Sequence, residues 1–257
     1  MTASVFHATP AELAGARAGH TLTVVGSEAR HAVSVMRMRP GAGIELVDGA
    51  GRRVRGAIAS IDGRDSLVID VADVIDESAP DLRLAVIQAL PKGEHAELAV
   101  DLMTQVGVDV IVPWAAQRSI VQWKPYKAEK ARAKWQSAAA AAAKQSRRAR
   151  TPVIGELASF ANACALVSQA SLALLLHEDA TAALADTDLP PAGEIVIVVG
   201  PEGGLADDER AGLREAGAIE VRLGPTVLRS SLAGAVAVTA ISASARWRAP
   251  DMQGSST

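Results

Sequence analysis

From residue 82 to residue 223 short apolar runs alternate with stretches of helical periodicity, and this alternation limits the fold more than any other feature of the chain. LRLAVIQAL (82–90), VDVIVP (108–113), SLALLL (171–176), EIVIVV (194–199) and IEVRL (219–223) are of strand length and mostly apolar. Strands separated by helices are not joined by tight hairpins, so a mainly parallel sheet is expected. After the first run, PKGEH opens a helix in which Ala99, Leu102, Met103 and Val106 recur at i, i+3, i+4 and i+7, and Gly107 stops it.

Residues 1–72 follow a different pattern. TLTVV (21–25), IELVDG (44–49), VRGAIASI (54–61) and LVIDV (67–71) are closely spaced strands with glycine-containing turns, which predicts a small β-barrel. Arg30, Arg37, Arg39, Arg52, Arg53 and Arg55 fall within it, either as a solvated face or as cations for a partner. The acidic stretch 73–81, with Pro80, is expected to be a linker, and a length of 257 residues suits two domains.

Two glycine turns near the carboxyl end carry the functional signal: IVIVVGPEGGL (195–205) and, after a further strand, LGPTVLRSSLAGAVAVTAI (223–241). A strand running into a glycine turn with a helix behind it is the layout of a small-molecule site at strand ends. The first turn has no Gly-Lys-Ser/Thr ending, so it is not a P-loop, and its spacing does not match the G-x-G-x-x-G dinucleotide fingerprint. Glu202 lies inside it, and Asp207, Asp208 and Glu209 follow, so four carboxylates are expected to face the turn and repel a phosphate-rich ligand. The plainer reading is an ordinary strand-to-helix turn whose acids suit the helix dipole.

Charged residues make up 21% and hydrophobic residues 49%, as in a globular protein, and aromatics are only 3%, so contact with nucleic acid would rest on charge more than stacking. The net charge is −3, yet residues 124–150 hold nine basic residues against the single acid Glu129, a concentration suited to a polyanion. Within this stretch, residues 127–148 include six consecutive alanines, 138–143, and predict a helix of about 30 Å, with a solvated surface role or an RNA-facing one. Cys164 is the one cysteine, and the five histidines are scattered without ligand spacing, so no metal site is expected. The opening MTASVFHATPAELAG lacks the marks of a signal peptide, and no run reaches the ~18 apolar residues of a membrane span, so a cytoplasmic protein is expected.

With these residues in hand, the chain resembles the RsmE family of SPOUT methyltransferases. The similarity covers VMRMRPGAGIELVDG (35–49), QALPKGE (88–94), GVDVIVPWAAQRS (107–119), KWQSAAAAAAKQSRR (134–148), LLHE (175–178), VVGPEGGL (198–205) and LGPTVLR (223–229). The pair GPEGG and LGPxVLR is specific; the other stretches are weak singly. The resemblance implies transfer of a methyl group from S-adenosylmethionine to N3 of a uridine in 16S ribosomal RNA of the small subunit. The implied fold is an α/β SPOUT domain, a parallel sheet with a C-terminal trefoil knot, preceded by a small PUA-like β-barrel, and the implied assembly is a homodimer. The corresponding boundaries are 1–73 for the RNA-binding barrel and 82–248 for the methyltransferase domain, with 249–257 a flexible tail.

Carried over by position, the cofactor pocket would use Leu176, His177, Gly200, Glu202, Gly203, Leu223, Gly224, Leu228, Ser230 and Ala233. RNA contacts would come from Arg30, Arg37, Arg39, Lys92, Arg118, Lys144, Arg147 and Arg148. The family's Arg-Thr-Glu-Thr-Ala run is Arg229-Ser230-Ser231-Leu232-Ala233 here, so any role of that glutamate does not transfer, and Ala206 at a capping position leaves Asp207 as the expected helix cap. Methylating N3 of uracil requires loss of an imide proton, and Arg229 is the candidate to stabilise the resulting anion, unless it pairs with an acid such as Glu202. Ser231 is too weak a base to act unaided, and no proton acceptor is identified. The competing functions are ribose 2′-O-methylation, a non-catalytic RNA-binding homologue and, last, a nucleotide-dependent oxidoreductase.

Overall fold

The computed structural model of the chain describes residues 3–247; the segment 249–257, expected to be a tail, lies outside the described residues. The chain divides into two compact units, one made of the residues up to Ala79 together with Ala140–Thr151, the other of Pro80–Ala139 and the residues from Pro152 onward.

In the first unit, β1 (Ser4–His7) leads into α1 (Pro10–Leu13), β2 (Thr21–Val25) and α2 (Ser27–Arg30), which continues as a π-helical turn (His31–Val35) before β3 (Gly43–Val47), β4 (Arg52–Asp62) and β5 (Ser66–Asp76). The five strands form one sheet in the order β1-β3-β4-β5-β2. All pairs are antiparallel except β1 with β3. The four strands predicted from residue 21 onward are present, β1 is additional, and β5 extends through the first part of the segment read as a linker. Phe6, Leu13, Ile44, Leu46, Ile58, Leu67 and Ile69 fill the core beneath the sheet. A capping box starts α1: Thr9 Oγ1 accepts from the Glu12 backbone N–H at 3.2 Å, and the Glu12 carboxylate accepts from Thr9 N–H at 2.6 Å.

Arg53, read as part of a cationic face, is instead buried and neutralised by Glu45 at 2.7 Å and Glu77 at 2.8 Å. Burial disfavours its charge, but hydrogen bonds to the two carboxylates outweigh this and leave its pKa raised.

The second unit contains β6 (Leu82–Ala89), α3 (His95–Gln105), β7 (Val110–Trp114), the first part of α4 (Pro125–Gln145), β8 (Val153–Ile154), α5 (Phe160–Gln169), β9 (Leu172–Leu176), a 3-10 turn (Leu184–Asp186), β10 (Gly193–Val199), α6 (Asp207–Glu215), β11 (Ile219–Val221) and α7 (Ser230–Ala245). Its six strands form the expected parallel sheet, in the order β11-β9-β10-β6-β7-β8. Alternate side chains of β6 and β10 go to opposite faces. Leu84, Val86, Ile195 and Ile197 join α3 and α7 in one core, and Ala85, Ile87, Val196 and Val198 join α5 and α6 in the other.

The long alanine-rich helix is α4, 21 residues and hence about 31 Å long. Trp135 and Ala139 are buried in the second unit's core, and Trp135 meets Trp123 edge-to-face at 5.3 Å. Lys144, at the end of the helix, belongs to the first unit and bonds Glu28 at 2.6 Å. Burial raises the Glu28 pKa, but hydrogen bonds from Lys144 and the His7 backbone dominate and lower it. No helix among the described residues is long and apolar enough to cross a membrane.

Candidate active site

Strands β9, β10 and β11 are parallel neighbours, so their carboxyl ends open on one edge of the sheet, and the loops leaving them enclose a cavity of about 420 Å³. Leu176 and His177 enter it from the end of β9; Gly200, Pro201, Glu202 and Gly204 from the turn after β10; and Leu223, Gly224, Leu228, Arg229, Ser230 and Ala233 from the loop after β11 and the start of α7. Of the ten positions carried over for the cofactor, nine therefore line one cavity.

The tenth, Gly203, stands outside the wall. A β-carbon there would lie 3.1 Å from the Arg118 backbone oxygen, so the glycine lets the segment after β7 approach the turn. Gly204 lines the cavity in its place: its N–H donates to the Pro201 carbonyl at 3.0 Å, closing the turn at a left-handed φ of +72°.

The four-carboxylate expectation reduces to one carboxylate. Glu209 is fully buried and holds the start of α6, accepting from Ala206 N–H at 3.3 Å and Gln117 N–H at 2.8 Å. It therefore supplies the reciprocal half of the helix cap from the third helical position, and Asp207, the residue expected to cap, is only the first residue inside the helix. Asp208 accepts from Gln117 Nε2 at 2.7 Å, the main cause of its lowered pKa. Both acids are committed to Gln117, and of the four only Glu202 lines the cavity.

The start of α7 is tied to the sheet through a buried relay. Ser230 Oγ donates to the Gly200 carbonyl at 2.7 Å and accepts from Gln88 Nε2 at 3.0 Å, while the same Gln88 nitrogen donates to the Ala89 carbonyl. Ser230 thus spends its hydroxyl on the protein and sets the position of Gly200. Arg229, the N-cap residue of α7, is exposed and forms no ion pair among the described residues, so the alternative pairing with Glu202 is absent. Glu202 instead accepts from the Lys92 backbone N–H at 3.2 Å. At the rim, His177 Nδ1 accepts from Asp179 N–H at 3.2 Å, which leaves the ring proton on Nε2.

Beside this cavity lies a second, of about 310 Å³, lined by Lys92, His95, Glu202, Arg229 and Ser231. Arg229 and Glu202 belong to both walls. His95 and the fully buried Gln88 were missed from sequence. A polar residue at the carboxyl end of a strand that is apolar from Leu84 to Ile87 was the available signal for Gln88, and a titratable residue opening a helix just after that strand was the signal for His95.

The residues carried over for RNA contact are dispersed. In the first unit Arg37 and Arg39 are exposed and form no ion pair among the described residues, and Arg147 is exposed. Arg37 and Arg147 both adopt positive φ, 53° and 59°. Arg30 pairs with Asp65 at 3.4 Å, and Lys144 with Glu28, so these two are partly neutralised. Arg148 is half-buried. In the second unit Lys92 and Arg118 are exposed beside the glycine turn. No group of three or more His, Cys, Asp or Glu side chains among the described residues is placed to hold a metal ion.

Comparison with known proteins identifies the family. Residues 78–242 match the model of an RNA methyltransferase domain, and residues 26–72 that of an RNA methyltransferase PUA domain. The chain is 41% identical over 238 residues to the ribosomal RNA small subunit methyltransferase E of Mycobacterium bovis, covering 90% of each chain. It is 29% identical to the protein of the same name from Bacillus subtilis, covering 86% of this chain and 90% of that one. A solved structure of the Neisseria gonorrhoeae ribosomal RNA small subunit methyltransferase E, bound to S-adenosyl methionine, superposes with a TM-score of 0.79 at 26% identity, over 95% of this chain and 98% of that one. On its matching domains and this degree of identity, the chain belongs to the RsmE family of ribosomal RNA small subunit methyltransferases.

Proposed function

We propose that this protein transfers a methyl group from S-adenosylmethionine to N3 of a uridine in 16S ribosomal RNA, acting in the cytoplasm. The observation that carries this reading is Arg229, which stands on the shared wall of two adjoining cavities and is paired with no acid among the described residues.

The first cavity suits the cofactor chemically. Leu176, Leu223, Leu228 and Ala233 give an apolar surface for a purine, Glu202 places a carboxylate where a sulfonium or ammonium is favoured, and Arg222 offers a cation for a carboxylate. Its glycine turn carries an acid and lacks the Gly-Lys-Ser/Thr ending of a phosphate-binding loop, which suits a phosphorylated coenzyme poorly. When bound, S-adenosylmethionine supplies an electrophilic methyl group. The protein must then stabilise the uracil anion left when N3 loses its proton. A guanidinium presents several donors in a fixed plane to a carbonyl oxygen carrying that charge. The Ser230–Gln88 relay holds the residue next to Arg229 against the sheet, so the charge is carried on a fixed helix start.

The reading includes residues 1–73 as a PUA-like RNA-binding barrel and 82–248 as the catalytic domain, with a C-terminal trefoil knot and a homodimeric assembly, on the strength of family membership. The RNA contacts it favours are the exposed Arg37, Arg39 and Arg147 of the first unit, and Lys92 and Arg118 beside the cavities. Replacing Arg37 and Arg39 together by alanine is expected to reduce the slope of log affinity against log salt by about 1 per lost phosphate contact. An unchanged slope would remove both from the RNA surface. Calorimetric titration tests the cofactor assignment: saturable binding of S-adenosylmethionine is expected, and binding of NAD or ATP in its place would overturn it.

A further inference from the structure

The proposed reaction leaves one requirement open, a group to take the N3 proton, and the second cavity narrows the choice to one. We propose that His95 is that proton acceptor and that the cavity of about 310 Å³ holds the uracil ring; this rests on the methyltransferase reading above.

Five residues line this cavity, and two of them, Glu202 and Arg229, are shared with the cofactor cavity. Glu202 stands on the shared wall and accepts a backbone hydrogen bond from Lys92, and a carboxylate is a poorer match in basicity to an imide than an imidazole is. Arg229 is a fixed cation and cannot take a proton. Of the three that line the second cavity alone, Lys92 carries an ammonium and Ser231 a hydroxyl, the first already protonated and the second too weakly basic. His95 remains. An imidazole has a free lone pair near neutral pH and lies closer in basicity to an imide anion than a carboxylate does, the match that general-base transfer favours. Its ring is half-buried at the first residue of α3, and no hydrogen bond among the described residues occupies either ring nitrogen. The charged groups around it are Lys92 and Glu94 on its own segment and Glu202 and Arg229 across the cavity.

In the step, a His95 ring nitrogen accepts the N3 proton, and the N–H electron pair stays on the uracil, whose carbonyl oxygen Arg229 stabilises. That pair forms the new N3–CH3 bond as the methyl's bond to sulfur breaks, its electrons returning to sulfur. The proton on His95 then passes to solvent. Ser231 brings only a hydroxyl to this wall, and the histidine across the cavity supplies the base.

The test is single-turnover methylation of 16S ribosomal RNA with saturating radiolabelled S-adenosylmethionine, followed across pH for the full-length protein and for His95→Gln, with nucleosides identified by mass. The wild-type rate is expected to rise with pH through an inflection that reports the proton acceptor. In His95→Gln the rate is expected to fall about 10²-fold and that inflection to vanish, with cofactor affinity and melting temperature unchanged. A His95→Gln rate within threefold of wild type, or a retained inflection, would overturn the role of His95 while leaving the reaction intact. Should the substitution lower the melting temperature, a wild-type profile without such an inflection overturns the proposal by itself. Label recovered on a ribose oxygen would overturn the underlying reading as well.

Discussion

Replacing Arg229 by alanine is expected to lower methyl transfer by about 10²–10³-fold, the usual effect of removing one preorganised donor from a site of developing negative charge. The affinity for S-adenosylmethionine should change by no more than severalfold, because Leu176, His177, Glu202 and Leu228 line that cavity independently of the guanidinium. Folding stability should hardly move, since Arg229 is exposed, forms no ion pair among the described residues, and its backbone still caps α7. Arg229→Lys should fall between the two, as it restores a charge without the planar fork. Single-turnover kinetics beside a cofactor titration separate these effects; an alanine variant with wild-type turnover would remove Arg229 from the chemistry.

The second large effect is on the fold of the first unit. β4 and β5 pair over most of their 11 residues each, and the register shifts between Arg55 and Gly56. At that bulge a β-carbon on Gly56 would collide with the backbone oxygen of Asp70 and come 2.8 Å from the Ile69 side chain. A backbone oxygen in a paired strand cannot swing aside, so the strands themselves must part. Gly56→Ala is therefore expected to cost about 3 kcal/mol, the upper range for overpacking. The corresponding drop in melting midpoint is about 6–12 °C for a chain of this size. Thermal unfolding followed by circular dichroism checks it, and a midpoint within 2 °C of wild type would mean the bulge relaxes freely.

The parts of this architecture that were legible in the sequence are those set by periodicity. The five strands of the parallel sheet from 82 to 223 and the face of α3 were read from apolar spacing, because each element buries a continuous stripe. β1 and β8 were missed for the opposite reason: SVFH and VI are too short to show a period, and only pairing with β3 and β7 makes them strands. In the candidate site, the glycine turns marked where a ligand cavity forms, since turn residues follow local backbone demands. What could not be read was which side chains the tertiary fold consumes. Glu209 and Asp208 looked like free acids until Gln117, about ninety residues earlier, came to rest against them. The Ser230 hydroxyl looked available until Gln88, 142 residues away, engaged it. Lys144 likewise looked like part of a basic helix face, whereas Glu28 holds it at 2.6 Å. Each of these depends on a contact between distant segments that spacing alone does not encode.

In the proposed function, the two cavities sharing Arg229 serve transfer of a methyl group to N3 of uracil in small-subunit ribosomal RNA. Mass mapping of nucleosides from the 16S ribosomal RNA of cells lacking this gene tests it most directly. Loss of 3-methyluridine at a single position, restored by the wild-type gene and not by one encoding Arg229→Ala, is the predicted result. An unchanged 3-methyluridine content in the deletion strain would contradict the account.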